Sequence, residues 1–217
     1  MAKKELERRG YNFEVRAEET ENGEKIITGR PIVYGSRTDL GYFDEIIEPG
    51  ALDSADLTDV RFLVNHNTDM IPLARSRRNN GNSTMKMTPD YQGLNLDFVK
   101  LDVENNSTSR ALYSAVERGD ITGMSFMFSV NDEEWENIDS DHPTRHIRGI
   151  SSVVEVSAVT WPAYDATEIN ARSKEALENA RATLENVREQ RGGSLESDTT
   201  ELELLKAKTQ TLILGGK

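Results

Sequence analysis

Gly123-Met124-Ser125-Phe126-Met127-Phe128 is an aromatic and apolar run with one hydroxyl near its middle, and it reads as a short β-strand. Alternation puts Met124, Phe126 and Phe128 on one face and Ser125, Met127 and Ser129 on the other. A serine so placed is either bonded to a neighbouring carbonyl or held on a rigid element as a nucleophile. The rest of the chain has to decide between these.

Working outward, Ser107 to Arg118 carries Ala111, Leu112, Ala115 and Val116 at helical spacing. Ser107 or Thr108 is the expected cap and Gly119 the stop. On the other side, Asn131 to Asp141 is strongly acidic and lacks EF-hand spacing, so it reads as a solvated loop. Ile150 to Trp161 is the longest β-rich run, ended by Pro162 to Thr167. Further upstream, Asn12 to Ala17 and Lys25 to Tyr34 read as strands of a hairpin around the Glu21-Asn22-Gly23-Glu24 turn. Asp59 to His66 reads as a strand in which Val60, Phe62, Val64 and His66 share a parity. Thr84 to Thr88 and Gly93 to Leu101 are two more strands, and Ala51 to Ala55 begins a short helix. Residues 1–10 read as a frayed, charged arm with no apolar stretch of the kind a secretory signal needs.

After residue 168 the character changes. Glu168 to Arg191 is an amphipathic helical pattern with Ala171, Leu177, Ala180, Leu184 and Val187, stopped by Gly192-Gly193-Ser194. The expected organisation is a β-rich domain over 1–167 and a helical extension over 168–217 with too little apolar surface to fold alone. Composition limits the function. Among 217 residues the formal net charge is -12, which argues against nucleic acid as a partner because phosphate neutralisation needs a basic face. There are no cysteines, which excludes a disulfide framework, a thiolate zinc site and a cysteine nucleophile. No run approaches the ~18 apolar residues of a membrane span.

Three polar residues stand out. His66 ends an expected strand, Ser125 lies within one, and Glu155 sits in Val153 to Val159, a run suited to a sheet centre. A carboxylate there must be paired, hydrogen-bonded or solvent-facing. Taken singly, each residue has an ordinary structural reading. Taken together, they are the set acyl transfer needs: a hydroxyl to attack, an imidazole to take its proton, and a carboxylate to fix the tautomer. The chain order matches no requirement, and there is no Gly-x-Ser-x-Gly elbow. Spacing alone leaves open whether the three meet. His142 is expected to be exposed in a polar loop, and His146 is ambiguous.

The chain resembles the prohead (capsid maturation) proteases of tailed bacteriophages, a family related in fold to the herpesvirus assemblin proteases. The matching residues are Gly29 to Tyr34, Phe43, Glu45-Ile46-Ile47, Pro49-Gly50-Ala51, Asn65-His66-Asn67 and Gly93-Leu94. They continue with Gly119 to Phe126, Phe128, Glu155-Val156-Ser157, Pro162-Ala163-Tyr164 and Thr167. The family pattern often has glycine where this chain has Met127.

The resemblance implies an α+β fold, with a β-rich, barrel-like protease domain of few helices and a helical C-terminal extension. It makes Ser125 the nucleophile and His66 the general base. Glu155 is the preferred third member, with His146 the weaker candidate because the herpesvirus relatives use a second histidine. The oxyanion hole is expected from backbone N–H groups, with Arg75, Arg77, Arg78 and Arg148 as candidate helpers. The implied activity is that of a serine endopeptidase that cuts the scaffolding part of the major capsid protein, and itself, inside the immature prohead in the host cytoplasm. No metal or cofactor is implied, and self-association as a dimer is expected. Residues 168–217 become a packaging segment that pairs with scaffold and is removed by self-cleavage. A non-catalytic capsid scaffold or assembly chaperone is the rival reading, and it would leave Ser125 and His66 apart.

Overall fold

The computed structural model describes residues 6–11, 15–160 and 181–191. Its centre is a long antiparallel hairpin of β10 (Gly123–Glu136) and β11 (Thr144–Val159). The Ser125 stretch is the first half of β10. Met124, Phe126 and Phe128 are wholly buried in the main core, as alternation predicts. Ser125, Met127 and Ser129 on the opposite face are also buried, so this part of the strand is covered on both sides.

The acidic run expected as a loop is mostly strand, because β10 continues through Glu136 and the turn begins only after it. Partners from other segments hold it there. Trp135 meets the Phe43 ring edge-on at 4.8 Å, and Glu133 accepts from Arg145 Nε at 2.8 Å. These pairings are between distant residues and leave no local periodicity.

The strands do not close into the expected barrel. β11 is bordered on one edge by two short parallel strands in succession, β5 (Asp44–Ile47) along residues 144–147 and β6 (Arg61–Val64) along residues 155–158. That edge therefore forks, one branch passing to β4 (Arg37–Asp39) and the other to β7 (Ala74–Arg75). β1 (Glu7–Tyr11) pairs with the other side of β10 and completes a seven-stranded sheet. Residues 7–10 of the stretch expected as a frayed arm thus belong to a strand. A second sheet runs β2 (Val15–Glu19), β3 (Lys25–Val33), β9 (Gly93–Lys100) and β8 (Met85–Asp90), all antiparallel. The β2–β3 hairpin is as the sequence predicts. Gly93 lies at φ +142, and a Cβ there would stand 2.0 Å from the Ile32 carbonyl oxygen, so this close crossing of β3 and β9 requires glycine.

The main core lies between the sheets, with Ile27, Ile32, Leu94 and Leu96 from one and Phe62, Phe126, Phe128 and Val156 from the other. Helix α1 (Ser107–Glu117) adds Leu112, Tyr113 and Val116. Its cap is Asn106, whose side chain accepts from the N–H groups of Thr108 and Ser109. Asparagine is as good a cap as serine, and the helix starts one residue earlier than the expected cap allows. Residues 51–55 form turns, not a helix.

A second helix, α2, covers residues 181–191. Its Leu184 is buried with Leu40, Phe43 and Ile138, and Val187 packs beside them. Arg188 donates to the carbonyls of Ile138 and Ser140. The described part of the extension therefore lays its apolar face on the domain. Ala171, Leu177 and Ala180 of the predicted stripe lie outside the described residues.

Candidate active site

The register of the sheet brings the chemistry together. Ser125 on β10 stands directly opposite Ser157 on β11, and Met127 opposite Glu155. Between these pairs and the next, β11 carries an extra residue: Phe128 pairs with Val153, so Val154 is bulged out. The bulge resets the alternation. Val153 and Val156 both reach the core, while Glu155 and Ser157 stay on the face of Ser125.

His66 arrives from β6. The strand ends at Val64, and Asn65 and His66 both take left-handed backbone conformations, with φ of 54 and 55. His66 is thus on a turn beyond the strand and not at its end. Asparagine visits this region readily, whereas histidine there costs roughly 1–3 kcal/mol unless its surroundings enforce it. Here they do. Asn65 N–H donates to the Ala158 carbonyl at 2.9 Å, and the Asn65 side chain exchanges hydrogen bonds with Thr160 N–H and Oγ1 at 2.9 Å each. His66 N–H donates to Ser157 Oγ at 3.0 Å.

This turn places the imidazole between the other two groups. His66 Nε2 is 2.6 Å from Ser125 Oγ, and Nδ1 is 2.6 Å from Glu155 Oε2. Glu155 and Ser125 are buried, and the His66 side chain is 14% exposed. The second carboxylate oxygen of Glu155 accepts from the Ser157 hydroxyl. Ser157, fully buried, therefore holds the carboxylate with its proton and the histidine backbone with its lone pair. Ser157 carries no functional expectation from its residue type, although its i, i+2 relation to Glu155 puts the two on one strand face.

Chemically, a carboxylate accepting from Nδ1–H leaves Nε2 free to take a proton from Oγ. His146 is elsewhere. It pairs with Glu48 at 2.6 Å and with Glu136 at 3.4 Å, nine residues along β11 from Glu155 and so roughly 30 Å away by strand rise. His142 is exposed, as expected, beside Asp44 and Asp39. The candidate arginines have other partners: Arg75 grips Asp59 through two nitrogens, Arg77 donates to the Asn82 carbonyl, Arg78 lies near Asp56 and Asp59, and Arg148 pairs with Glu134.

On the other side of β10 lies a buried ion network that the sequence did not suggest. Arg9 on β1 clasps Glu45 through Nε and a terminal nitrogen at 2.5 and 2.7 Å. It also reaches Glu7 at 2.6 Å. Arg145 on β11 bonds both oxygens of Glu7, at 2.6 and 2.8 Å, and Glu45 at 3.0 Å, and it pairs with Glu133 as well. Burial pushes the Glu7 carboxyl up, but the Arg145 hydrogen bonds and the charges of Arg9 and Arg145 outweigh it and hold Glu7 down at about 2. Burial works against the Arg145 charge in the same way, and Glu7 and Glu45 more than offset it, so its guanidinium is raised.

Neither a curated protein nor a solved structure matches the chain. The family model of the caudovirus prohead serine proteases matches residues 11–182, a span that contains His66, Ser125 and Glu155. The chain belongs to the caudovirus prohead serine protease family.

Proposed function

We propose that this chain is a serine endopeptidase that processes the scaffolding part of the major capsid protein, and itself, within the immature prohead in the host cytoplasm. Family membership supports a protease role in capsid maturation. The observation that carries the finer reading is the unbroken run of short contacts from Ser125 Oγ through both nitrogens of His66 to Glu155. Ser125 is the nucleophile, His66 the general base and Glu155 the group that orients and stabilises the imidazolium.

The cycle follows from the geometry. Ser125 Oγ attacks the scissile carbonyl carbon as its proton passes to His66 Nε2. Glu155 keeps the Nδ1 proton in place and faces the positive charge as it forms. The tetrahedral intermediate collapses, and Nε2–H protonates the departing amine. Water then enters, gives its proton to Nε2, and attacks the acyl-enzyme. The acid is released and Ser125 regains its hydrogen. No step calls for a metal or cofactor.

The scaffold reading would have left Ser125 and His66 apart, and their 2.6 Å contact counts against it. Residues 168–217 keep their proposed role as a packaging segment removed by self-cleavage, with α2 as its tether to the domain. Intact mass measured over time on wild type and Ser125→Ala, each mixed with the cognate capsid protein, tests the proposal. Discrete peptides released only by wild type are expected, and unchanged masses with both after assembly is triggered would overturn it.

A further inference from the structure

β1 covers the edge of β10 beside Ser125, an edge on which an extended peptide can add as a strand. It runs antiparallel along the edge of β10 that carries Ser125, with Gly10 directly opposite Ser125 and Arg9 opposite Phe126. Extended peptides bind such edges by adding a strand. Glycine at the facing position sets no side chain over the hydroxyl. The carbonyl oxygen of Arg9, which begins the Arg9–Gly10 peptide bond, accepts a hydrogen bond from Ser125 Oγ at 2.7 Å. The Arg9 side chain binds Glu45 bidentately, the fork geometry best suited to guanidinium recognition, and Glu45 is bonded in turn by Arg145, which also holds Glu133. Residues 7–10 precede the stretch that the family model matches.

The proton inventory shows what this contact does. Ser125 has one hydroxyl proton and two partners within hydrogen-bond reach, His66 Nε2 and the Arg9 carbonyl. When the proton goes to the carbonyl, the short Nε2 contact must be an N–H donated to Oγ, and because Glu155 accepts from Nδ1–H the ring is then an imidazolium. A histidine that donates from Nε2 cannot accept the serine proton. The nucleophile and its base are then both occupied, and Ser125 is buried beneath the strand.

We propose that β1 is a tethered substrate mimic: the β10 edge and the Glu45–Arg145–Glu133 pocket form a binding site for an extended peptide with arginine before a small residue, and residues 7–11 fill it and hold the peptidase off. The inference rests on the peptidase reading. Release of β1 takes away Glu7 and Arg9 together and leaves Glu45 and Glu133 facing Arg145 alone, a pocket with one carboxylate in excess and ready for another guanidinium.

The test measures the rate at which a fluorophosphonate probe labels Ser125 in the full chain. Arg9→Ala is expected to label at least tenfold faster than wild type. A synthetic peptide of residues 5–12 should slow labelling of that variant back toward the wild-type rate, and the same peptide with Arg9→Ala should not. Equal labelling of wild type and a natively folded Arg9→Ala, or indifference to the peptide, would overturn the proposal. If Arg9→Ala does not fold, Glu7→Gln serves in its place: severalfold faster labelling supports the proposal and an unchanged rate rejects it. Labelling of every variant no greater than that of Ser125→Ala would instead remove the peptidase reading on which the proposal stands.

Discussion

Ser157 accepts a hydrogen bond from the backbone N–H of His66 at 3.0 Å while its own hydroxyl donates to Glu155. One buried side chain thus fixes Glu155 and His66 at once: the carboxylate by its proton, and the strained turn that carries the imidazole by its oxygen. Ser157→Ala leaves an orphaned His66 N–H and a carboxylate with one bond fewer. Leaving a buried donor unpaired costs about 1–3 kcal/mol. We expect kcat to fall on the order of tenfold to a hundredfold with KM nearly unchanged, measured by steady-state kinetics on a capsid-derived peptide.

Glu155→Gln keeps the shape of the side chain and removes its charge. A carboxamide can present N–H₂ to Nδ1, which turns the imidazole to the tautomer unable to take the serine proton. The expected loss in kcat is on the order of 10⁴-fold, the size found when a triad carboxylate is neutralised with its geometry intact. The circular dichroism spectrum should stay that of wild type.

Arg145 is almost fully enclosed and bonds Glu7, Glu45 and Glu133. Arg145→Met would leave Glu133 without its guanidinium, and Glu7 and the fully buried Glu45 sharing Arg9 alone. Breaking a buried pair from one side destabilises by about 3–5 kcal/mol. Thermal unfolding should show a clear drop in Tm, and pairing the change with Glu45→Gln should recover part of it. Absence of that recovery would mean the two residues are not energetically coupled.

Docking of β1 should depend on acid. The Glu7 carboxyl sits at about 2 in place and would return to its ordinary 4.5 on release. A depressed carboxylate stabilises the state that depresses it at pH above the ordinary value, and that contribution fades as pH falls through the lowered one. The strand should therefore be fully held above pH 4.5 and loosen progressively toward pH 2, with a contribution of roughly 3 kcal/mol at stake. Amide shifts of Arg9 and Gly10 in an NMR titration read this directly. Glu7→Gln should abolish the pH-dependent part.

The features visible in the sequence were those encoded locally. Alternation around Ser125 gave both faces of β10 correctly, helical spacing gave α1, and the Glu-Val-Ser segment gave the carboxylate that contacts His66. What escaped depends on distant pairings. β1 is charged at Glu7, Arg8 and Arg9, so it looked like a solvated arm, yet Glu7 and Arg9 are matched by Glu45 and Arg145, which come from elsewhere in the chain. His66 shared a parity with Phe62 and Val64 and so read as strand, but two successive left-handed residues take it off the sheet. The Val154 bulge likewise shifts which valines face the core without leaving a mark on composition. The barrel was expected from the family resemblance, and the fork of the sheet at β11 prevents it.

If Ser125 and His66 act as one catalytic unit with Glu155, as proposed, kcat/KM for wild type, Ser125→Ala, His66→Ala and the double variant on one capsid-derived peptide will show it. Residues that work as a unit lose nearly everything when either is removed, so the double variant should be no worse than either single one. Losses that multiply in the double variant, or peptidase activity surviving in Ser125→Ala, would contradict it.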